Sequence, residues 1–172
     1  FAALASNQVD VIAASVSITD KRKKAMGFSD PYCEIRQAVV VSTNSDLKNR
    51  KELDGKKVGG QIGNSSLIAL QKANTGCTIR EYDDVGLAIE DMVKGRIDAT
   101  CLDSPVALYY MNKKKEYANK LQVAMTIGEP EHYGFVVKKG NKELLAKLNK
   151  GIQLVKQNGA YDRLLKEYMG GK

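Results

Sequence analysis

From Val58 to Asp103 the sequence alternates short β-branched runs with stretches of helical period, an order that restricts the chain to α/β architectures. A strand is expected at Val58, a helix over Ser65–Ala73 and a strand over Thr78–Tyr82. The next segment, DDVGLAIEDMVKGR, puts Val85, Ala88, Ile89, Met92 and Val93 on one helical stripe, with Asp84 as N-cap and Gly95 as C-cap. It leads into the strand IDATCLD, after which Ser104 and Pro105 make an N-cap and first-turn pair for a helix reaching Lys114.

Two near-continuous apolar runs, VDVIAA at Val9 to Ala14 and AVVVST at Ala38 to Thr43, predict central strands, buried on both faces of a largely parallel sheet. DLKNRKELDGKK is a polar connector with a turn at Asp54 and Gly55. LQVAM and YGFVVKK predict two strands on either side of a turn-like TIGEPEH. In the tail, Leu144, Leu145, Leu148, Ile152 and Val155 recur at helical spacing, and Gly159 separates them from a last amphipathic helix with Tyr161, Leu164, Leu165 and Tyr168.

Composition removes several function classes. The apolar runs are a few residues long, far short of the roughly 20 that a spanning helix needs. Cys33, Cys77 and Cys101 lie far apart with no C-x-x-C pair, and the single histidine is His132, so a metal centre is not expected. An odd cysteine count leaves at least one thiol free or paired with another chain. The formal charge is +7, but the 27 basic residues are spread along the chain without interleaved aromatics, which argues against nucleic acid and for lysine-rich surface helices. The opening FAALASNQVDVIAAS reads as a helix tail entering a buried strand, so a preceding segment is expected.

Three stretches carry chemistry. SITDKRKKAMGFSDPY sets one arginine, Arg22, inside a lysine run just after Ser17 and Thr19. A guanidinium is a planar fork that grips a carboxylate in two places, which lysine cannot reproduce, so Arg22 is a carboxylate anchor and Lys21, Lys23 and Lys24 are surface charges. GKKVGGQIGNSS matches neither the Walker A nor the G-x-G-x-x-G fingerprint. What remains is a strand, a glycine turn and a helix start whose first amides, at Asn64, Ser65 and Ser66, suit an anion while Asn64 caps the helix. Asp103 closes a strand at the carboxyl end of the sheet, where a carboxylate suits an ammonium group or serves as a further cap. There is no G-x-S-x-G and no metal triad, and Tyr109 and Tyr110 read as packing residues; no cofactor is expected.

Taken in order, Ser17 to Arg22, Phe28 to Tyr32, Gly55 to Gly63, Tyr82 to Asp103 and Tyr133 to Tyr168 make a pattern that resembles the bacterial extracellular solute-binding proteins of family 3. The resemblance implies a periplasmic-binding-protein-like α/β fold of two lobes joined by two crossover strands. Lobe one would take residues 1–41 and 126–172, and lobe two residues 42–125. It implies a transport receptor, periplasmic or on the cell surface, that closes on a polar L-amino acid, basic side chains among the candidates, and delivers it to the membrane permease of an ABC transporter. Arg22 would hold the α-carboxylate, with Ser15 and Ser17 as strand-end partners. Amides near Asn64 and Ser65 would share the carboxylate, Asp103 would pair with the α-ammonium, and Gln61 would touch the ligand side chain. Family members carry further βαβ elements ahead of the position of Phe1, so lobe one is expected to be incomplete at its N-terminus and open to association with another chain through its uncovered strand. Two other readings share this fold: an enzyme resembling cyclohexadienyl dehydratases, and a sensor domain. The amino-acid clamp of Arg22, the serines and Asp103 leaves no surplus acid in a catalytic position, and the ending YMGGK has no helix leading toward a membrane.

Overall fold

A computed structural model describes residues 1–169. In chain order its elements are α1 (Ala2–Ala5), β1 (Val11–Ser17), α2 (Asp20–Ala25), β2 (Met26–Phe28), β3 (Cys33–Ser42), β4 (Lys57–Gln61), α3 (Ser65–Ala73), β5 (Thr78–Tyr82), α4 (Val85–Val93), β6 (Ala99–Asp103), α5 (Ser104–Lys113), β7 (Leu121–Lys138), α6 (Lys142–Gln157) and α7 (Ala160–Met169). Among the described residues no helix is long and apolar enough to cross a membrane. The chain divides into two compact units, one of Phe1–Ile35 with Glu131–Lys166 and one built on Arg36–Pro130.

The second unit has a sheet covered on both faces. β4 pairs parallel with β5 and with β6, and β3 pairs antiparallel with β6, setting Gln37 opposite Asp103 and Val39 opposite Cys101. The two-residue period of β3 divides its apolar run between two cores. Val39 and Val41 pack with Leu67 and Leu70 of α3 on one side, while Ala38 and Val40 pack with Ile89 and Met92 of α4 and Ala107 of α5 on the other. Burying a leucine or isoleucine such as Leu70 or Ile89 stabilises by about 1.5–3 kcal/mol. Two glycines in β4 let the layers close: a Cβ on Gly59 would lie 2.6 Å from Ile97 Cδ1, and one on Gly60 would lie 2.5 Å from Leu67 Cδ2.

In the first unit β1 and β2 both pair antiparallel with β7, with Ile12 and Phe28 each opposite Val136. Leu4, Val16 and Val136 form a small core with Ile12, Met26 and Phe28 against it. Asn141 caps α6, its side chain accepting from the Leu144 amide, and Gly159 at φ +73° lets the chain turn into α7.

Several expectations need correction. Val9 to Ala14 is not a central strand buried on both faces: β1 ends the strand order, Val9 is 40% exposed, and Ala13 and Ala14 face solvent. An irregularity between Ile12 and Val16 breaks the alternation there. The sheet pairing is mixed rather than largely parallel, because β3 and β7 return antiparallel to their neighbours. TIGEPEH is no turn but the middle of the single strand β7, with Gly128 at φ +71° inside it and Ile127 buried in a core. Glycine and proline signal turns when chain reversal is the only use for them, yet an extended strand also accommodates both. The N-cap of α5 is Asp103, not Ser104, which is the first helical residue.

Candidate functional site

In the first unit, Thr19 caps α2 by accepting the Arg22 amide at 3.3 Å, and this one-and-a-half-turn helix carries the guanidinium back over β1. Arg22 Nη1 donates to the Ser17 carbonyl at 2.9 Å, and the guanidinium lies 5.6 Å from the centre of the Phe1 ring. A backbone carbonyl and an aromatic face thus fix the half-buried head group, while Lys21, Lys23 and Lys24 stay exposed. Ser17 is buried in β1.

Ser15 lies in the irregular stretch of β1 with φ +52°, an uncommon conformation for a residue with a Cβ, and its side chain is exposed. It hydrogen-bonds to Tyr32, whose phenol is pushed up by burial and by Cys33, against the pull of the Ser15 bonds. Tyr32 stacks on Phe135 with ring centres 4.7 Å apart. Of the Phe28 to Tyr32 block, Tyr32 therefore lies beside the irregular stretch that carries Ser15.

In the second unit the residues converge on the ends of β6 and β3 and the start of α3. Asn64 Oδ1 accepts from the Ser66 amide at 3.1 Å and lies 3.4 Å from Ser65 Oγ. Asp103, 4% exposed, occupies the N-cap position of α5 yet makes no side-chain capping bond. Its Oδ1 instead accepts from Gln37 Nε2 at 2.9 Å, and the same amide nitrogen donates to Ser65 Oγ at 3.0 Å. The capping alternative for the Asp103 carboxylate is thereby removed, and the next side chain, Ser104 Oγ, accepts from the Arg36 amide of β3 at 3.1 Å. Gln61 Nε2 donates to the Asp83 carbonyl at 3.0 Å.

Gln37 was not among the residues expected at a site. Its signal was present, since a carboxamide opening the run QAVVV is the one polar side chain at a position otherwise filled by core residues. Only the register of β3 against β6 shows that it faces Asp103. Chemically, the second unit offers a shielded carboxylate held by a neutral amide beside a helix start, a group for a cation next to one for an anion. The first unit offers a guanidinium held by a backbone carbonyl and an aromatic ring.

Comparison with known proteins bears on these features. A family model of the bacterial extracellular solute-binding proteins, family 3, matches residues 1–171. A probable histidine-binding protein of Neisseria gonorrhoeae is 32% identical over 98% of the chain, which spans 63% of that relative's length. Among solved structures, the arginine-, lysine-, histidine-binding protein ArtJ from Geobacillus stearothermophilus is 33% identical with a TM-score of 0.85, covering 99% of this chain and 74% of that one. The ancestral amino-acid-binding protein AncCDT-1, a precursor of cyclohexadienyl dehydratase, is 32% identical with a TM-score of 0.85, over 98% and 72% of the two chains.

Proposed function

The chain belongs to family 3 of the bacterial extracellular solute-binding proteins, and on that premise we propose that it binds a polar L-amino acid, basic ones included, as the receptor component of an ABC transporter. The observation that carries this reading is the Asp103 carboxylate: it ends a strand, is shielded from solvent, is not spent on capping its helix, and is held by Gln37 beside Ser65. A buried carboxylate favours a cationic partner, and the α-ammonium of an amino acid supplies one.

In this proposal Arg22 takes the α-carboxylate, with Ser15 and Ser17 alongside, and the first-turn amides near Asn64 and Ser65 share it. Gln61 meets the ligand side chain. The loaded receptor serves a membrane permease from the periplasm or the cell surface. Binding needs no cofactor and makes no bond. The dehydratase alternative draws on the similarity to AncCDT-1, but that precursor is itself an amino-acid-binding protein.

Titration calorimetry against a panel of amino acids tests the proposal. Saturable binding of one or a few polar amino acids is expected, together with failure of the matching deaminated acids to compete at equal concentration. Absence of binding across the panel overturns it.

A further inference from the structure

We propose that Gln37 is a positioning residue that selects for the α-ammonium group by locking the Asp103 carboxylate and setting the direction of the hydrogen bonds around Ser65. This rests on the amino-acid-binding reading and adds to it a residue that touches no ligand.

The chemistry of the donors fixes the arrangement. Gln37 is completely buried, and Nε2 lies 2.9 Å from Asp103 Oδ1 and 3.0 Å from Ser65 Oγ. An ionised carboxylate only accepts, so the amide must turn its nitrogen toward Asp103; the flipped amide would set oxygen against oxygen. With both N–H groups of Nε2 so directed, Ser65 Oγ accepts from Gln37, and its own proton points to Asn64 Oδ1 at 3.4 Å. Asn64 Oδ1 also accepts the Ser66 amide. One polarity therefore runs from Gln37 through Ser65 to Asn64, and the same amide tethers Asp103.

A purely structural account of Gln37 fits poorly. Its Oε1 is buried with no hydrogen-bond partner among the described residues, an unfavourable state that an apolar side chain of similar size would avoid. Its neighbours Ala38 and Val39 are core residues, so a methionine there would match the packing but leave Asp103 Oδ1 and Ser65 Oγ without this donor. What the amide alone supplies is a neutral donor to Asp103. A lysine would bring a cation against the carboxylate and compete with a ligand cation; a neutral amide orients the carboxylate without adding a charge of its own.

The test compares the full chain with Gln37→Met and Gln37→Asn, each measured by calorimetry against the best-bound amino acid and its deaminated analogue, with thermal unfolding to establish the fold. Both variants are expected to bind the amino acid about 10- to 100-fold more weakly, with the loss for the deaminated acid within about threefold. In an Asp103→Asn background the Gln37 substitutions should cause no further loss of discrimination. Folded Gln37 variants that keep the discrimination of the unaltered chain overturn the inference while amino-acid binding stands. If the unaltered chain binds no amino acid, both fall. If Gln37→Met does not fold, Gln37→Asn, which keeps an amide but shortens its reach, decides the question.

Discussion

Ser29 and Phe135 exchange two hydrogen bonds: the Ser29 amide donates to the Phe135 carbonyl at 2.9 Å, and the Phe135 amide donates to Ser29 Oγ at 2.9 Å. The serine side chain thus stands in for a strand partner that the short β2 does not provide. Ser29→Ala would leave the Phe135 amide without its acceptor and is expected to destabilise the chain by about 1–3 kcal/mol. Urea unfolding monitored by circular dichroism reads this as a lower midpoint at unchanged slope; an unchanged midpoint would mean that water replaces the hydroxyl at no cost.

Arg22 supplies geometry as well as charge. Arg22→Lys keeps the charge and loses the fork, and Arg22→Ala removes both. If Arg22 anchors the ligand carboxylate, the alanine variant should lose roughly 2–5 kcal/mol of binding free energy, with lysine recovering only part of it. Calorimetry on folded variants checks this, and unchanged affinity in Arg22→Ala would remove Arg22 from the site.

The second unit was far more legible in the sequence than the first. Helix α3 and strand β5 have their expected boundaries, and Asn64 and Asp84 cap the helices assigned to them, because caps, stripes and β-branched runs act within a few residues of each other. The apolar run of β1 suggests a central strand because apolarity reports a preference for burial, not the number of neighbouring strands. Gly128 and Pro130 carry a turn signal that divides β7 in the sequence, and the single long strand absorbs it. The partners of Gln37 are hidden in the sequence for a third reason. Its partners Ser65 and Asp103 lie 28 and 66 residues away, so only the antiparallel register brings them together.

Asp91 accepts from Arg96 Nη1 at 2.8 Å and from the Tyr82 hydroxyl at 3.0 Å, and these bonds, that of Arg96 foremost, hold its carboxyl below the usual carboxylate range. A carboxyl lowered by folding contributes stability that is present above its unfolded value and lost as pH falls through its folded one. The loss belongs to the acid limb, below about pH 4. Asp91→Asn should therefore flatten part of the fall in melting temperature between about pH 5 and pH 2, with little change of slope near neutrality. Glu52, lowered chiefly by the Lys48 amide, keeps its own share of the slope. An acid limb identical in the variant would show that the unfolded chain holds Asp91 equally low.

The three thiols occupy different surroundings, and their reactivity should follow. Cys101 is completely buried in β6, and Cys33 is 8% exposed, whereas Cys77 is only half-buried. Burial pushes the Cys33 thiol up, with Glu34 adding to the effect and the Tyr161 hydrogen bond and Lys156 opposing it. Thiolate is the reactive form, so shielding and a raised thiol slow the same reaction twice. With a disulfide reagent under native conditions Cys77 is expected to react first, and Cys33 and Cys101 only as the chain opens. Cys77→Ser should abolish the fast phase and leave the slow one. A fast phase that survives in Cys77→Ser and disappears in Cys33→Ser would mean that the first unit opens around Tyr32 and Tyr161 far more readily than its packing implies.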